Sequence, residues 1–274
     1  MSTFLDQILS DVAHELSSTK ARRPLAEVRS MLSDAPAPRD FHDALASSFG
    51  LIAEIKERSP SVGPMRTENV AEAAAAYEES SIVRALSILT NSHHFGMDIE
   101  RLAAIRTRVT KPVLRKDFIV DEYQVREARA FGADAILLMA NVLDAARMAG
   151  FHNLALELGM EVLFEVHSED EIALLPPTAR IVGINSRKFK STAGFVGATG
   201  SSEKDFTLTF DAFDLVEKLP TGALRIAESG ISPVNLALAR DRFDAVLVGT
   251  SLLRDPAGIR ACLAQFEGAL HSNA

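Results

Sequence analysis

Glu54 and Lys56 close an apolar run, Leu51-Ile52-Ala53-Glu54-Ile55-Lys56, and Ser59-Pro60-Ser61-Val62-Gly63 follows at once. On a strand, Ile52, Glu54 and Lys56 alternate onto one face. A charge buried there without a partner costs several kcal/mol, so its natural place is the strand end that opens on water. Seven further apolar runs end in a comparable way. In order, their ends carry Thr90 and Asn91; Arg115, Lys116 and Asp117; Met139 and Asn141; Glu165 and His167; Asn185 and Arg187; Glu228, Ser229 and Gly230; and Gly249, Thr250 and Ser251. The starts of the same runs show no such cluster. Mixed ammonium and carboxylate groups at one rim suit acid–base work on a carbonyl-bearing small molecule, because close Lys/Glu neighbours shift each other's pKa values and divide the acid and base roles.

Two loops add an anion seat. Ser229-Gly230-Ile231-Ser232-Pro233 ends in what reads as a helix N-cap with proline at the first helical position, and Val248-Gly249-Thr250-Ser251-Leu252 is the second loop. Glycines allow close backbone approach, and helix-start N–H groups favour an anion such as phosphate. Glu54 with Lys56 also fits a structural ion pair, Lys116 a solvated loop lysine, Arg187 a partner for a nearby carboxylate. His167 is read as a hydrogen-bonded bystander and Cys262 as core. Metal chemistry is not expected: the chain has no His-x-His, no His-Glu-x-x-His and no carboxylate cluster free of lysine, and the adjacent His93 and His94 are poorly placed to chelate together. No Ser/His/Asp nucleophile elbow is present.

The elements that position these residues follow from the alternation. Apolar, β-branched-rich runs begin near Leu51, Val83, Val113, Ala133, Met160, Ile181, Leu224 and Ala245. Helical patterns lie between most of them, at Val70 to Glu79, Leu102 to Arg108, Glu122 to Phe131, Asp144 to Leu158 and Val234 to Arg242. Strand then helix, repeated, predicts a parallel sheet, and eight units in about 220 residues fit a closed (β/α)8 barrel of the TIM type, an α/β fold. An open doubly wound sheet would show a Gly-x-Gly-x-x-Gly after its first strand, and none follows Lys56. Residues 1–45 form a helical N-terminal extension before the barrel of residues 46–274: Phe4, Ile8, Val12 and Leu16 recur at helical spacing, Leu25, Val28 and Leu32 continue it, Pro36 and Pro38 break it, and Asp40 caps a further short helix. Lys190 to Asp205 reads as a long loop after the sixth strand.

Composition narrows the function classes. Hydrophobic residues make up 47% of the 274, enough for a sizeable core, and the net charge of −8 argues against nucleic acid or an anionic membrane as partner. A lone cysteine excludes an internal disulfide. Asp6, Asp11 and Glu15 interrupt the apolar N-terminal residues, which speaks against a signal peptide, and no apolar run reaches the ~18 residues of a membrane span. A cytoplasmic setting is expected.

Taken together and in order, Leu51 to Lys56 with Ser59-Pro60-Ser61 and Gly63, Pro112-Val-Leu-Arg-Lys-Asp-Phe118, Glu165-Val-His167, Gly183-Ile-Asn-Ser-Arg187 and Ala227-Glu-Ser-Gly230 resemble the indole-3-glycerol phosphate synthase family over nearly the whole chain. The resemblance implies a (β/α)8 barrel with a helical extension folded over its mouth. It implies ring closure of 1-(2-carboxyphenylamino)-1-deoxyribulose 5-phosphate to indole-3-glycerol phosphate, with release of CO2 and water, in tryptophan biosynthesis, by a carboxy-lyase that uses no metal or organic cofactor. Carried over by motif, Lys116 would be the general acid and Glu165 the general base. Lys56 would contact phosphate or substrate oxygens, while Glu54, Asn185, Glu228 and Ser229 would line and orient the pocket. Arg187 and Ser59 would hold the anthranilate carboxylate. Gly230, Gly249 and Thr250 would bind phosphate, and Phe95, Phe118 and Phe189 would face the aromatic ring. The expected partner is that phosphorylated small molecule, and the expected assembly a monomer or weak homodimer. Asn91, His94, Met97 and Phe189 depart from the family's usual residues and bear on the shape of the ring pocket. Two other readings stand beside this one: a phosphoribosylanthranilate isomerase-like barrel, which favours a Cys/Asp pair, and a non-catalytic phosphate-binding relative.

Overall fold

The computed structural model describes residues 4–189 and 206–271, with backbone alone for Lys188, Phe189, Phe206 and Thr207. Eight parallel strands close into a barrel: β1 (Gly50–Ile55), β2 (Val83–Leu89), β3 (Val113–Lys116), β4 (Ala135–Met139), β5 (Glu161–Val166), β6 (Ile181–Asn185), β7 (Leu224–Glu228) and β8 (Ala245–Val248). Each strand pairs with its sequence neighbour, and β1 pairs with β8 to close the ring. The strands lie where the apolar runs predict them. Because they are covered on both faces, they read as continuous apolar runs rather than as alternation.

Parity along each strand sorts the side chains. Ile52, Ala85, Leu114, Ala135, Leu137, Leu163, Ile181, Ile226 and Leu247 form one buried cluster that fills the barrel interior. Residues of the opposite parity, such as Leu51, Val113, Ile136, Phe164, Val182, Ala227 and Val246, belong to a larger cluster packed under the outer helices. The outer layer includes helices Thr67–Glu79, Ile99–Arg106, Glu122–Ala130, Ala145–Glu157 and Ile259–His271. After β6 the place of a helix is taken by a 3-10 segment, Phe210–Lys218, that buries Ala212, Phe213 and Val216. The predicted helix from Val234 to Arg242 shrinks to Ala237–Arg240. Ser232 does not start it: its N–H donates to Asn235 Oδ1 at 2.7 Å, and Asn235 Nδ2 donates to Gly230 O at 2.9 Å, so the side chain of Asn235 holds this stretch as turns.

Three helices precede the barrel: α1 (Phe4–Arg22), α2 (Leu25–Met31) and α3 (Phe41–Ala46). Asp40 caps α3 by accepting from Asp43 N at 2.7 Å. Phe41 and Leu45 of α3, and Ile8 and Val12 of α1, are buried in the same cluster as the barrel interior. The starts of the strands carry separate ion pairs. Asp134, just before β4, accepts from Val113 N at 2.7 Å and Arg39 N at 2.8 Å and pairs with Arg106 at 3.2 Å, which ties the leader to the barrel. Arg225 and Asp244 pair at 3.0 Å near the starts of β7 and β8. These are structural pairs between neighbouring chain segments. Among the described residues no helix is long and apolar enough to cross a membrane.

Candidate active site

The interior parity that places Ile52, Leu114, Leu163 and Ile226 in the core places the residue two further along each strand at the mouth. Glu54, Lys116, Glu165 and Glu228 arise this way, and Asn185 follows Ile181 by four. They line one cavity of about 310 Å3 at the C-terminal ends of the strands. Lys56, Ser59, Phe95, Phe118, Arg187, Ser229, Gly230, Gly249 and Thr250 line it too, as does Ile8 from α1. Of the residues singled out from the sequence, only the side chain of Phe189 and the Lys190–Asp205 stretch lie outside the described residues. The flanks of that stretch, Arg187–Phe189 and Phe206–Leu208, pair as an antiparallel ribbon beside the mouth.

Lys116 is the hub. Its Nζ donates to Glu165 Oε2 at 3.0 Å and lies 3.4 Å from Glu228 Oε2. Burial alone would lower the pKa of this ammonium, but Glu165, Glu228 and Glu54 outweigh burial and raise it above the ordinary value. Lys56 Nζ donates to Glu54 Oε1 in a close ion pair. Two ammonium groups therefore face three buried carboxyls in one mouth, and the imbalance falls on one acid. Glu228, 1% exposed, is pushed up to about 8: burial raises it, Lys116 opposes, and the nearby Glu165 raises it further. Glu165, equally buried, goes the other way, to about 2: burial is overcome by Lys116 and His167, with hydrogen bonds from Lys116 and Asn185. The two neighbouring carboxyls are thus pushed in opposite directions, Glu165 toward the ionised form and Glu228 toward the protonated one, a division that acid–base chemistry can use.

Two glycines make room for this arrangement. A Cβ on Gly183, next to Glu165 in register, would lie 2.0 Å from Glu228 Oε1. A Cβ on Gly249 would lie 2.3 Å from Glu54 Oε1. Sequence reasoning assigned Gly249 only to the anion seat and missed the interior role of Gly183, whose signal was its odd-numbered parity with Ile181 and Asn185. Ser229 and Gly230 follow with φ of 71° and 72°, and the left-handed serine is a strained residue at the cavity wall. Ser186 braces it, donating from Oγ to Ser229 O at 3.1 Å. Gly249 precedes the short helix Thr250–Leu253, whose first N–H groups have no intrahelical acceptor. Arg187 is half-buried; burial lowers its pKa and Glu54 opposes the change.

Arg115, Thr90 and Asn91 turn away from the cavity, while Asp117 lines it. Arg115 donates to Thr90 Oγ1, Glu127 Oε2 and Asp117 Oδ2, each at 3.0 Å, in a buried network behind β3. Its neighbours Thr90, Asn91 and Asp117 help line a second, polar cavity of about 490 Å3 under α1. Asn91 donates to Glu15 Oε2 at 3.1 Å, and His94 lies 3.2 Å from Asp11. Asn91, His94 and Met97 do not line the main cavity: Asn91 and His94 meet α1, and Met97 is buried in the core under the outer helices. Asp11, His93 and His94 gather ligand-type atoms within 4.8 Å, as do Asp40, His42 and Asp43, and both groups lie outside the main cavity. Cys262 is buried in helix Ile259–His271, where burial pushes its thiol up to about 12. It is not among the residues of the mouth, which removes the Cys/Asp pair on which the isomerase reading depends.

A closed (β/α)8 barrel whose mouth couples a buried lysine to two carboxyls pushed in opposite directions is, as a class, an acid–base barrel enzyme scaffold. The family model described as indole-3-glycerol phosphate synthase matches residues 5–262. The indole-3-glycerol phosphate synthase of Aromatoleum aromaticum is 38% identical over 265 residues, 93% of this chain and 96% of that relative. That of Mycobacterium leprae is 37% identical over 259 residues, 92% and 90% respectively. The chain belongs to the indole-3-glycerol phosphate synthase family. Among solved structures, a 3-hexulose-6-phosphate synthase from Salmonella typhimurium covers 82% of this chain and all (100%) of its own with a TM-score of 0.57 at 16% identity. A thiamine phosphate pyrophosphorylase from Pyrococcus furiosus covers 85% of this chain and 98% of its own at 0.58 and 12%. These two share the fold.

Proposed function

We propose that this chain closes the pyrrole ring of 1-(2-carboxyphenylamino)-1-deoxyribulose 5-phosphate, releasing CO2 and water to give indole-3-glycerol phosphate in tryptophan biosynthesis. The observation that carries the reading is the Lys116 hub: an ammonium 3.0 Å from Glu165 and 3.4 Å from Glu228, inside the cavity that the glycine loops of β7 and β8 also line. Lys116 stays protonated at working pH and faces where a ketone oxygen would sit. As the ring carbon attacks the ketone carbon, the oxygen becomes a strongly basic alkoxide and takes the lysine's proton. Loss of CO2 returns the bonding electrons to the ring. Glu165 then removes a proton as the hydroxyl departs as water. The hydroxyl leaves more readily with a proton donor nearby, and Glu228 carries one. Removing such a general acid or base costs about 10²–10⁴-fold.

Recognition follows from charge. The substrate has a carboxylate and a phosphate. Arg187 and Ser59 supply a cation and a hydroxyl for the first, with Phe95 and Phe118 facing the ring. Lys56, Gly230, Gly249 and Thr250 supply a cation and backbone N–H groups for the second. Glu54 holds Lys56, and Asn185 and Ser229 orient the pocket wall. The side chains present supply every proton the sequence of bonds requires, so the proposal calls on no metal or organic cofactor. We place the enzyme in the cytoplasm, as a monomer or weak homodimer, with residues 1–45 folded over the mouth of the barrel of residues 46–274. Incubating the purified chain with the substrate and following indole fluorescence tests the reading. Time-dependent product supports it, and none at enzyme concentrations equal to substrate overturns it.

A further inference from the structure

Lys116 faces two carboxyls at similar range, Glu165 and Glu228, each with a side chain 1% exposed. An ammonium between two such groups does not by itself choose which stays ionised, because the pair titrates as a unit. Lys116 hydrogen-bonds Glu165 and not Glu228, and a second asymmetry lies behind Glu165. His167 Nε2 is 3.4 Å from Glu165 Oε1. Among the described residues neither oxygen of Glu228 accepts a hydrogen bond, and Glu165 Oε1 and His167 Nε2 face each other at ion-pair range without one. His167 Nδ1 is 3.1 Å from Glu171 Oε2, and the same oxygen accepts the backbone N–H of His167 at 2.7 Å. Local sequence builds this holder. Ser168 caps the helix Glu169–Ile172 by accepting from Glu171 N at 3.3 Å, so Ser168-x-x-Glu171 turns the glutamate back toward the histidine. The imidazole is 9% exposed and forms no part of the cavity wall.

We infer that His167, held by Glu171, is a positioning residue that keeps Glu165 the ionised member of the Glu165–Glu228 pair, and so assigns the base role to Glu165 and the proton to Glu228. The inference rests on the reading of Glu165 as base. The groups facing the imidazole are Glu165 from β5, Glu171 from the following helix and Glu228 from β7, with Lys116 of β3 beyond Glu165. Burial opposes a charged imidazole here, but Glu171 and Glu165 outweigh it and raise its pKa. An imidazolium carries an N–H on both nitrogens, here 3.1 Å from Glu171 and 3.4 Å from Glu165, so its charge faces both carboxylates.

The test combines pH–rate profiles with 15N NMR of His167 in the full chain. In His167→Gln, the acidic limb of kcat moves up by about one pH unit and kcat at neutral pH falls about tenfold, the scale of one nearby charge, while KM changes less than about twofold. Glu171→Gln moves the limb in the same direction by less, and lowers the pH at which His167 titrates. A His167→Gln limb that stays in place, or kcat lost equally at every pH, overturns the inference. If His167→Gln does not fold, Glu171→Gln decides: an unmoved limb together with unmoved His167 titration is the refuting result. Glu165→Gln separates the two levels. Retained kcat there removes the base reading itself. An inactive Glu165→Gln, with His167 of the unsubstituted chain titrating at or below its ordinary pH, leaves that reading standing and removes the inference alone.

Discussion

Replacing Gly183 with alanine adds a single methyl group to the barrel interior, and its effect follows from one distance. The new Cβ would lie 2.0 Å from Glu228 Oε1 and 3.0 Å from its Cδ. Non-bonded atoms settle at about 3.5 Å, so the carboxyl must withdraw by more than about 1 Å. It has little room, since its other oxygen already lies 3.4 Å from Lys116. Overpacking of this kind costs about 1–3 kcal/mol. In a chain of this size each kcal/mol lowers Tm by about 2–4 °C. Displacement of a reacting group by about 1 Å costs about 100-fold in rate. Expected, then, are a Tm drop of about 2–12 °C and a kcat reduced about 100-fold, read by thermal unfolding and by indole fluorescence at saturating substrate. The decisive measurement is a double-mutant cycle with Glu228→Ala. In that background the methyl has space, so Gly183→Ala should cost under about 0.5 kcal/mol, leaving a coupling of about 1–3 kcal/mol. Equal destabilisation in both backgrounds, or an undiminished kcat in Gly183→Ala alone, would refute the reasoning.

Lys116→Ala should lower kcat at least about 100-fold with the fold intact by circular dichroism, and an unchanged kcat removes its role as acid. Stability should depend on pH through the same cluster. Glu228 keeps its proton in the folded state up to about 8 against an ordinary 4.5, so the folded state binds more protons between those values and stability falls as pH rises across that window. Glu165, held at about 2, has its full stabilising effect above about 4.5 and loses it only as pH falls toward 2. His167, raised above 6.5, adds stability that is complete below 6.5 and lost as pH rises through its folded value. Urea unfolding should therefore show declining stability from pH 5 to 8.5, and Glu228→Gln should flatten that slope. Asp134→Ala leaves Arg106 buried without its carboxylate and should cost about 3–5 kcal/mol in urea unfolding. A chain beginning at Asp40 loses Ile8, which lines the cavity, and Val12 and Val28, which are buried, so KM should rise and Tm should fall.

The strand starts, the interior parity of Ile52, Glu54 and Lys56, and the caps of the leader were legible in the sequence because they are local. Apolar runs, a period of two and an Asp before a short helix each depend on a few adjacent residues. The same locality failed at Ser232-Pro233, where the side chain of Asn235 and the carbonyl of Gly230 set the backbone instead. It also failed at Arg115, whose neighbours in the chain point to the mouth while its own parity turns it onto Glu127.

By itself the sequence determined that ammonium and carboxylate groups gather at one end of a set of eight parallel strands, since alternation and turn chemistry act along the chain. Only the closed barrel decided what those groups do to one another. Lys116, Glu165 and Glu228 come from three strands spread over more than a hundred residues, and the distances between them, the glycines that make space for them and their burial exist only after closure. Electrostatic coupling falls with distance and grows with burial. Which carboxyl holds a proton is therefore a property of the tertiary arrangement, invisible in the order of the residues.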